Sequence, residues 1–182
     1  KMSKSLGNVI APGEVIQKFG ADVLRLWASS ADYRGDIRVS FEILEQMAEV
    51  YRRIRNTCRF ILGNLADFDP ERDRVSPSDL EELDRWAVRR VYRLLGRCVK
   101  AYREYAFHIV HKEVHNFCAV DMGGFYLDVI KDRLYCEAPG SRVRRSSQSA
   151  LAEILSILVK LIAPILVFTA EEVWEHMPAG LK

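Results

Sequence analysis

The sequence predicts an all-α fold, an antiparallel helix bundle over residues 40–182 preceded by a short loop-and-helix leader over residues 1–39. Three observations predict it. After Ser40 apolar residues recur at helical spacing, helix-start signatures punctuate the chain, and no strand pattern competes beyond residues 37–39. In the leader, Gly7, Pro12, Gly13, Gly20 and Gly35 allow only short helices, near residues 14–19 and 22–29. Ser40 is a plausible N-cap for a long helix to about Leu65, because Ile43, Met47, Val50, Ile54, Cys58, Ile61 and Leu65 fall on one face. Ser76, Pro77 and Ser78 mark a turn. Ser78 with Glu81 forms a capping box for a second long helix to about Tyr102, with Asp79, Glu81 and Glu82 at its positive end. Two helices follow, about residues 107–120 and 125–135, separated by Gly123 and Gly124. A very apolar helix over residues 145–162 is stopped by Pro164, and a box of Thr169 and Glu172 opens a last short one ending before Pro178.

Composition narrows the function classes. With 182 residues, 49% of them hydrophobic, the chain can bury one helical core but not a large catalytic sheet as well. Its 27 basic and 25 acidic residues leave a formal charge of +2, which excludes a whole-surface polycation. Cys58, Cys98, Cys118 and Cys136 lie far apart without a CxxC pair, which fits free buried thiols in a reducing cytosol better than a disulfide framework or a thiolate zinc site. The longest apolar run, residues 154–168, is broken by Ser156, Lys160 and Pro164, so no membrane span and a cytoplasmic location are expected. A start at Lys1 on a polar loop reads as a cut inside a longer chain.

The chemical signal is the opening string Lys1, Met2, Ser3, Lys4, Ser5, Leu6, Gly7, Asn8. Two ammonium groups three residues apart on a small-residue loop can both point at a polyphosphate, while Ser3 and Ser5 add hydroxyl donors. Such a loop can neutralise charge developing on a pyrophosphate leaving group. This string resembles the KMSKS signature of the class I aminoacyl-tRNA synthetases. The resemblance continues through Gly20, Ala21, Asp22, Val23, Leu24 and Arg25, as in the isoleucine, valine and leucine branch. It extends to residues 31–40, to His115, Asn116, Phe117 and Cys118, and to residues 125–135 and 163–174, which are most similar to the isoleucine type.

The resemblance implies that Lys4 contacts ATP phosphates during amino-acid activation, that Lys1 assists it, and that Met2, Ser3 and Ser5 complete the ATP-binding loop. It also implies ATP with magnesium, isoleucine and isoleucine tRNA as the ligands of a complete, monomeric ligase, and the anticodon arm as the partner of the bundle. No counterpart of the HIGH signature, nucleotide-binding sheet, editing domain or amino-acid pocket is present. The piece alone is therefore expected to be inactive and to bind no cofactor.

Independently of any family, the body carries basic stripes. Arg52, Arg55 and Arg59 share one side of the first long helix, Arg89, Arg93, Arg97 and Lys100 form a ladder on the second, and Arg142, Arg144 and Arg145 cluster in a loop. Arginine forks match phosphate oxygens and stack on splayed bases, so these nine arginines are candidate RNA contacts, and the resemblance implies that the RNA is tRNA. Tyr51, Trp86, Tyr92, Phe125 and Tyr126 could stack on bases, but at helical spacing most are expected in the core. His108, His111 and His115 share a helical face. Lys112 stands where a zincin needs glutamate, and Val114 where the inverted motif needs it, so a structural or interface cluster and no metal are expected. Two other readings stay open: the same region of a valine or leucine enzyme, and a helical scaffold that binds only protein.

Overall fold

A computed structural model describes residues 2–182, except the side chain of Lys4. After a single turn at Lys4–Leu6, the chain forms α1 (Pro12–Phe19), α2 (Ala21–Ser30), α3 (Phe41–Asn64), α4 (Glu82–Arg103) and α5 (Phe107–Asn116). A π-helical segment (Phe117–Tyr126), the short α6 (Leu127–Val129) and α7 (Lys131–Tyr135), then α8 (Arg142–Ile162) and α9 (Val167–His176) complete it. No strand occurs among the described residues, so the predicted all-α class holds.

The core is built where the apolar faces converge. α4 packs on α8 and α5, α3 on α2, and α8 on α9. Ile54, Cys58 and Ile61 of α3, Val91, Leu94 and Cys98 of α4 and Leu151, Ile154, Leu155 and Leu158 of α8 belong to one buried core. On α3 the predicted face is buried from Ile54 to Leu65. In the first turns, however, Leu44 is buried while Ile43 and Met47 are half-buried. Burying a side chain of this kind contributes roughly 1.5–3 kcal/mol.

Local signals decided some helix starts and tertiary partners decided others. Ser40 caps α3 as predicted, its hydroxyl accepting from Ile43 N at 3.3 Å. The Ser78–Glu81 box does not form. The Glu81 N–H donates instead to Ser146 Oγ of α8 at 2.8 Å, and Ser78 bonds Ser76, so α4 begins at Glu82 with Glu82 and Asp84 in its first turn. Nor does Thr169 cap α9. That helix starts at Val167, and both carboxylate oxygens of buried Asp22 serve its open N–H groups, accepting from Phe168 N at 3.4 Å and from Thr169 N at 2.8 Å and Oγ1 at 2.6 Å. An acidic side chain at the positive end of a helix is favourable in both hydrogen bonding and charge.

The glycine pair also behaves differently from the prediction. Gly123 and Gly124 do not separate two helices, because the chain runs from α5 through the π-helical turns into α6 without leaving helical geometry. Such wide turns leave less room beside the backbone: a Cβ on Gly123 would stand 3.1 Å from Cys118 O. α8 starts three residues earlier than predicted, at Arg142.

α2 lies in the leader by sequence and in the bundle by packing. Leu26 belongs to the core, and Arg25 donates to Ile165 O at 2.8 Å and Pro164 O at 2.9 Å in the α8–α9 turn. Gly20 ends α1 and starts α2 at φ 89°, ψ 159°, a region that residues with a Cβ avoid. Gly20→Ala should therefore cost about 1–3 kcal/mol, read as a lowered midpoint in urea unfolding.

Candidate functional site

The opening loop closes on itself. Ser3 N donates to Asn8 Oδ1 at 2.8 Å, Leu6 N to Ser3 O at 3.1 Å, and the Ser3 and Ser5 hydroxyls meet at 2.7 Å. Gly7 turns the chain at φ 62°. The result is a tight, solvent-open turn with its hydroxyls gathered on one side, and Met2 and Leu6 exposed around it. Lys1 and the Lys4 side chain, the two residues assigned to phosphate contact, lie outside the described residues. The segment from Met2 to Asn8 holds no carboxylate, so its chemistry suits phosphate oxygens and offers no carboxylate ligand to a magnesium ion.

The candidate arginines separate into three groups. Arg59, Arg89 and Arg93 are exposed and have no ion-pair partner among the described residues. Arg52, Arg55 and Arg97 are on the surface but paired: Arg52 with Glu49 at 2.5 Å, Arg97 with Glu113 at 3.0 Å, and Arg55 with both oxygens of Glu172 at 2.7 and 3.0 Å. The hydrogen bond and charge of Glu172 hold the Arg55 guanidinium above its usual pKa.

The third group ties the loop between α3 and α4 onto α8. Arg144 pairs with Asp67 at 2.9 Å, while Arg145 reaches Asp73 at 3.2 Å and Gln148 Oε1 at 2.6 Å, with side-chain exposures of 17% and 12%. Gln148 in turn donates to Asn64 O and Asp67 Oδ1, each at 2.8 Å. Asp73 is pulled down to about 2 by its hydrogen bond from Arg72, by the Asp69 backbone and by the charge of Arg145. Arg142 reaches the Asp79 carbonyl at 3.3 Å. The acidic run Asp67, Asp69, Glu71 and Asp73 was the sequence signal for these partners.

Arg55 and Arg59 also line a cavity of about 710 Å³ at one end of the bundle, with Leu62, Phe68, Val173 and Met177 among its apolar walls. Of the aromatics, Tyr126 is buried and Tyr51 bonds Thr169 Oγ1 at 2.9 Å. Phe125 and Tyr92 are exposed; Phe125 stacks edge-on against Trp86 with centroids 5.2 Å apart.

Two polar sites escaped sequence reasoning. One is the Asp22 cap of α9. The other is Asp84, fully buried, which accepts from Tyr126 Oη at 2.7 Å, Ser146 Oγ at 2.6 Å and Ser147 Oγ at 3.2 Å, and faces Arg133 at 3.5 Å. Burial first, then the Asp84 charge and hydrogen bond, push the Tyr126 phenol well above its ordinary pKa. The signal was available: Asp84, Ala87, Val91, Leu94 and Cys98 share the apolar face of α4.

The histidines are less well satisfied than expected. His108 Nδ1 and His111 Nε2 are buried without a hydrogen-bond partner, and the His111 and His115 rings lie 6.4 Å apart. Burial foremost, then His115, depresses His111. Among the described residues no group of three or more His, Cys, Asp or Glu side chains could hold a metal ion.

Comparison with known proteins gives two family matches. A family model described as the anticodon-binding domain of tRNA ligase matches residues 84–181, more than half of the chain, and one for class I tRNA synthetases (I, L, M and V) matches residues 1–40. The chain is 58% identical over 178 residues to an isoleucine–tRNA ligase of Syntrophotalea carbinolica, covering 98% of this chain and 19% of that protein. It is 59% identical over 182 residues to that of Carboxydothermus hydrogenoformans, covering 100% and 20%. It thus spans about a fifth of the length of the curated relatives it matches. Among solved structures, the LeuRS of the Agrobacterium radiobacter K84 agnB2 LeuRS-tRNA-LeuAMS ternary complex superposes with a TM-score of 0.67 at 24% identity, over 97% of this chain and 20% of that one, which supports the fold.

Proposed function

Because this chain belongs to the anticodon-binding domain family of tRNA ligases, we propose that it is the part of an isoleucine–tRNA ligase running from the KMSKS loop through the anticodon-arm-binding bundle. The observation that carries this reading is identity of 52–59% to isoleucine–tRNA ligases along essentially the whole chain. In the whole protein, isoleucine is activated with ATP and then transferred to isoleucine tRNA. The valine and leucine alternatives have no comparable support.

In activation the isoleucine carboxylate attacks the α-phosphorus of ATP, the bond to the β-phosphate breaks, and pyrophosphate leaves with the negative charge. Lys4, helped by Lys1, neutralises that charge where it grows, and Ser3 and Ser5 donate hydrogen bonds beside it. Magnesium adds positive charge to the same phosphates when bound. Residues 1–39 serve as loop and connection, and residues 40–182 hold the tRNA. We place the whole protein in the cytoplasm as a monomer, on the strength of its resemblance to this enzyme type; among the described residues no helix is long and apolar enough to cross a membrane.

Arg59, Arg89 and Arg93 lead the phosphate contacts because they give up no ion pair to make one. Arg52, Arg55 and Arg97 contribute less, since an RNA phosphate competes with a carboxylate already in place. Arg142, Arg144 and Arg145 act mainly by fixing the α3–α4 loop against α8. Titration of isoleucine tRNA against this chain at several salt concentrations tests the reading. Binding should fall steeply with salt. Alanine at Arg59 or Arg89 should lower the slope by about one and weaken cognate and non-cognate tRNA alike. A helical scaffold for protein would show no RNA binding at low salt.

A further inference from the structure

The groove between α4 and α5 gathers more positive charge than its own acids neutralise. Arg90, Arg93 and Arg97 line one wall, and Glu113 and Asn116 of α5 with Asp121 of the π-helical segment line the other. Arg90 pairs with Asp121 at 2.6 Å, and Arg97 with Glu113 at 3.0 Å. Arg93, between them in sequence, is exposed and has no ion-pair partner among the described residues. Three guanidinium groups against two carboxylates leave one positive charge, and it belongs to Arg93.

Chemistry favours a phosphate over a base. The groove, of about 120 Å³, is lined mainly by charged and polar side chains. Phe117 on its floor is buried, so no ring face is offered for stacking. The planar fork of Arg93 matches two phosphate oxygens at once, and the Asn116 amide adds an uncharged donor from the opposite wall.

We propose that this groove seats one backbone phosphate of the bound RNA, gripped by Arg93 with help from Asn116, while Glu113 and Asp121 hold Arg97 and Arg90 back and so limit the strength of the grip. The proposal rests on the RNA-binding reading above; it adds where a phosphate sits and which acids oppose it. Removing Glu113 frees a second guanidinium for the phosphate, so the groove requires an acid whose loss tightens binding.

The test is titration of the 182-residue chain with an isoleucine tRNA transcript at several salt concentrations, with urea unfolding of each variant to verify its fold. Arg93→Ala should weaken binding about tenfold and lower the salt slope by about one. Arg93→Lys should recover only part of the affinity, because it keeps the charge and loses the fork. Glu113→Gln should tighten binding several-fold, and more than Glu82→Gln, which makes the same charge change at the exposed start of α4, outside the groove and without an ion-pair partner among the described residues. If the unsubstituted chain binds tRNA and Arg93→Ala changes nothing, the groove is overturned while the RNA reading stands. Equal effects of Glu113→Gln and Glu82→Gln would reduce it to net charge and overturn it likewise. Absence of binding at low salt by the unsubstituted chain overturns both.

Discussion

Replacing Asp84 by alanine should lower the unfolding free energy by about 3–5 kcal/mol, the range for breaking a buried, charged hydrogen-bond network by removing one partner. The carboxylate is fully buried and collects donors from Tyr126, Ser146 and Ser147, with Arg133 close by. Its loss leaves those buried groups without their acceptor. Asp84→Asn keeps the shape and part of the acceptor capacity, so it should cost less. Urea denaturation at neutral pH measures both, and a loss below about 1 kcal/mol for the alanine variant would show that the network contributes little beyond filling space.

The second large effect is kinetic. In the full-length protein, Lys4→Ala should slow formation of isoleucyl-adenylate by a factor of about a hundred or more, as expected when a donor that acts on developing charge is removed. Affinity for tRNA should hardly change, since the proposed tRNA contacts lie on the bundle. Single-turnover activation followed by pyrophosphate release reads the first quantity, and a tRNA titration reads the second. Unaltered activation kinetics would take the loop out of the ATP chemistry.

The existence of the long helices was legible in the sequence because periodicity reports burial directly. The Ile54, Cys58 and Ile61 face of α3 and the apolar helix ending before Pro164 were both readable this way. Where the reading failed, a residue distant in sequence had taken the local partner. Ser146 occupies the Glu81 N–H that a capping box would use, and Asp22 occupies the N–H of Thr169. The same cause divides the arginines. Spacing identifies a basic stripe but not the acid that meets it, so Arg144 and Arg145 looked as available as Arg89 and Arg93 until Asp67 and Asp73 were seen beside them.

The Asp22 cap also fixes the order in which this chain can complete itself. The residues it joins are 147 apart in sequence, so during synthesis α2 emerges long before the helix whose first turn it closes. Until residues 167–169 arrive, the Asp22 carboxylate must stay hydrated, even though α2 already has α3 and α5 to pack on. A contact of such sequence separation adds little to early collapse and much to final closure. A nascent chain stopped before Val167 should therefore hold α2, α3, α4, α5 and α8 together while the Asp22 end of α2 is cut faster by proteases than in the whole chain. Release of the last helix then locks that end to the bundle in one late step.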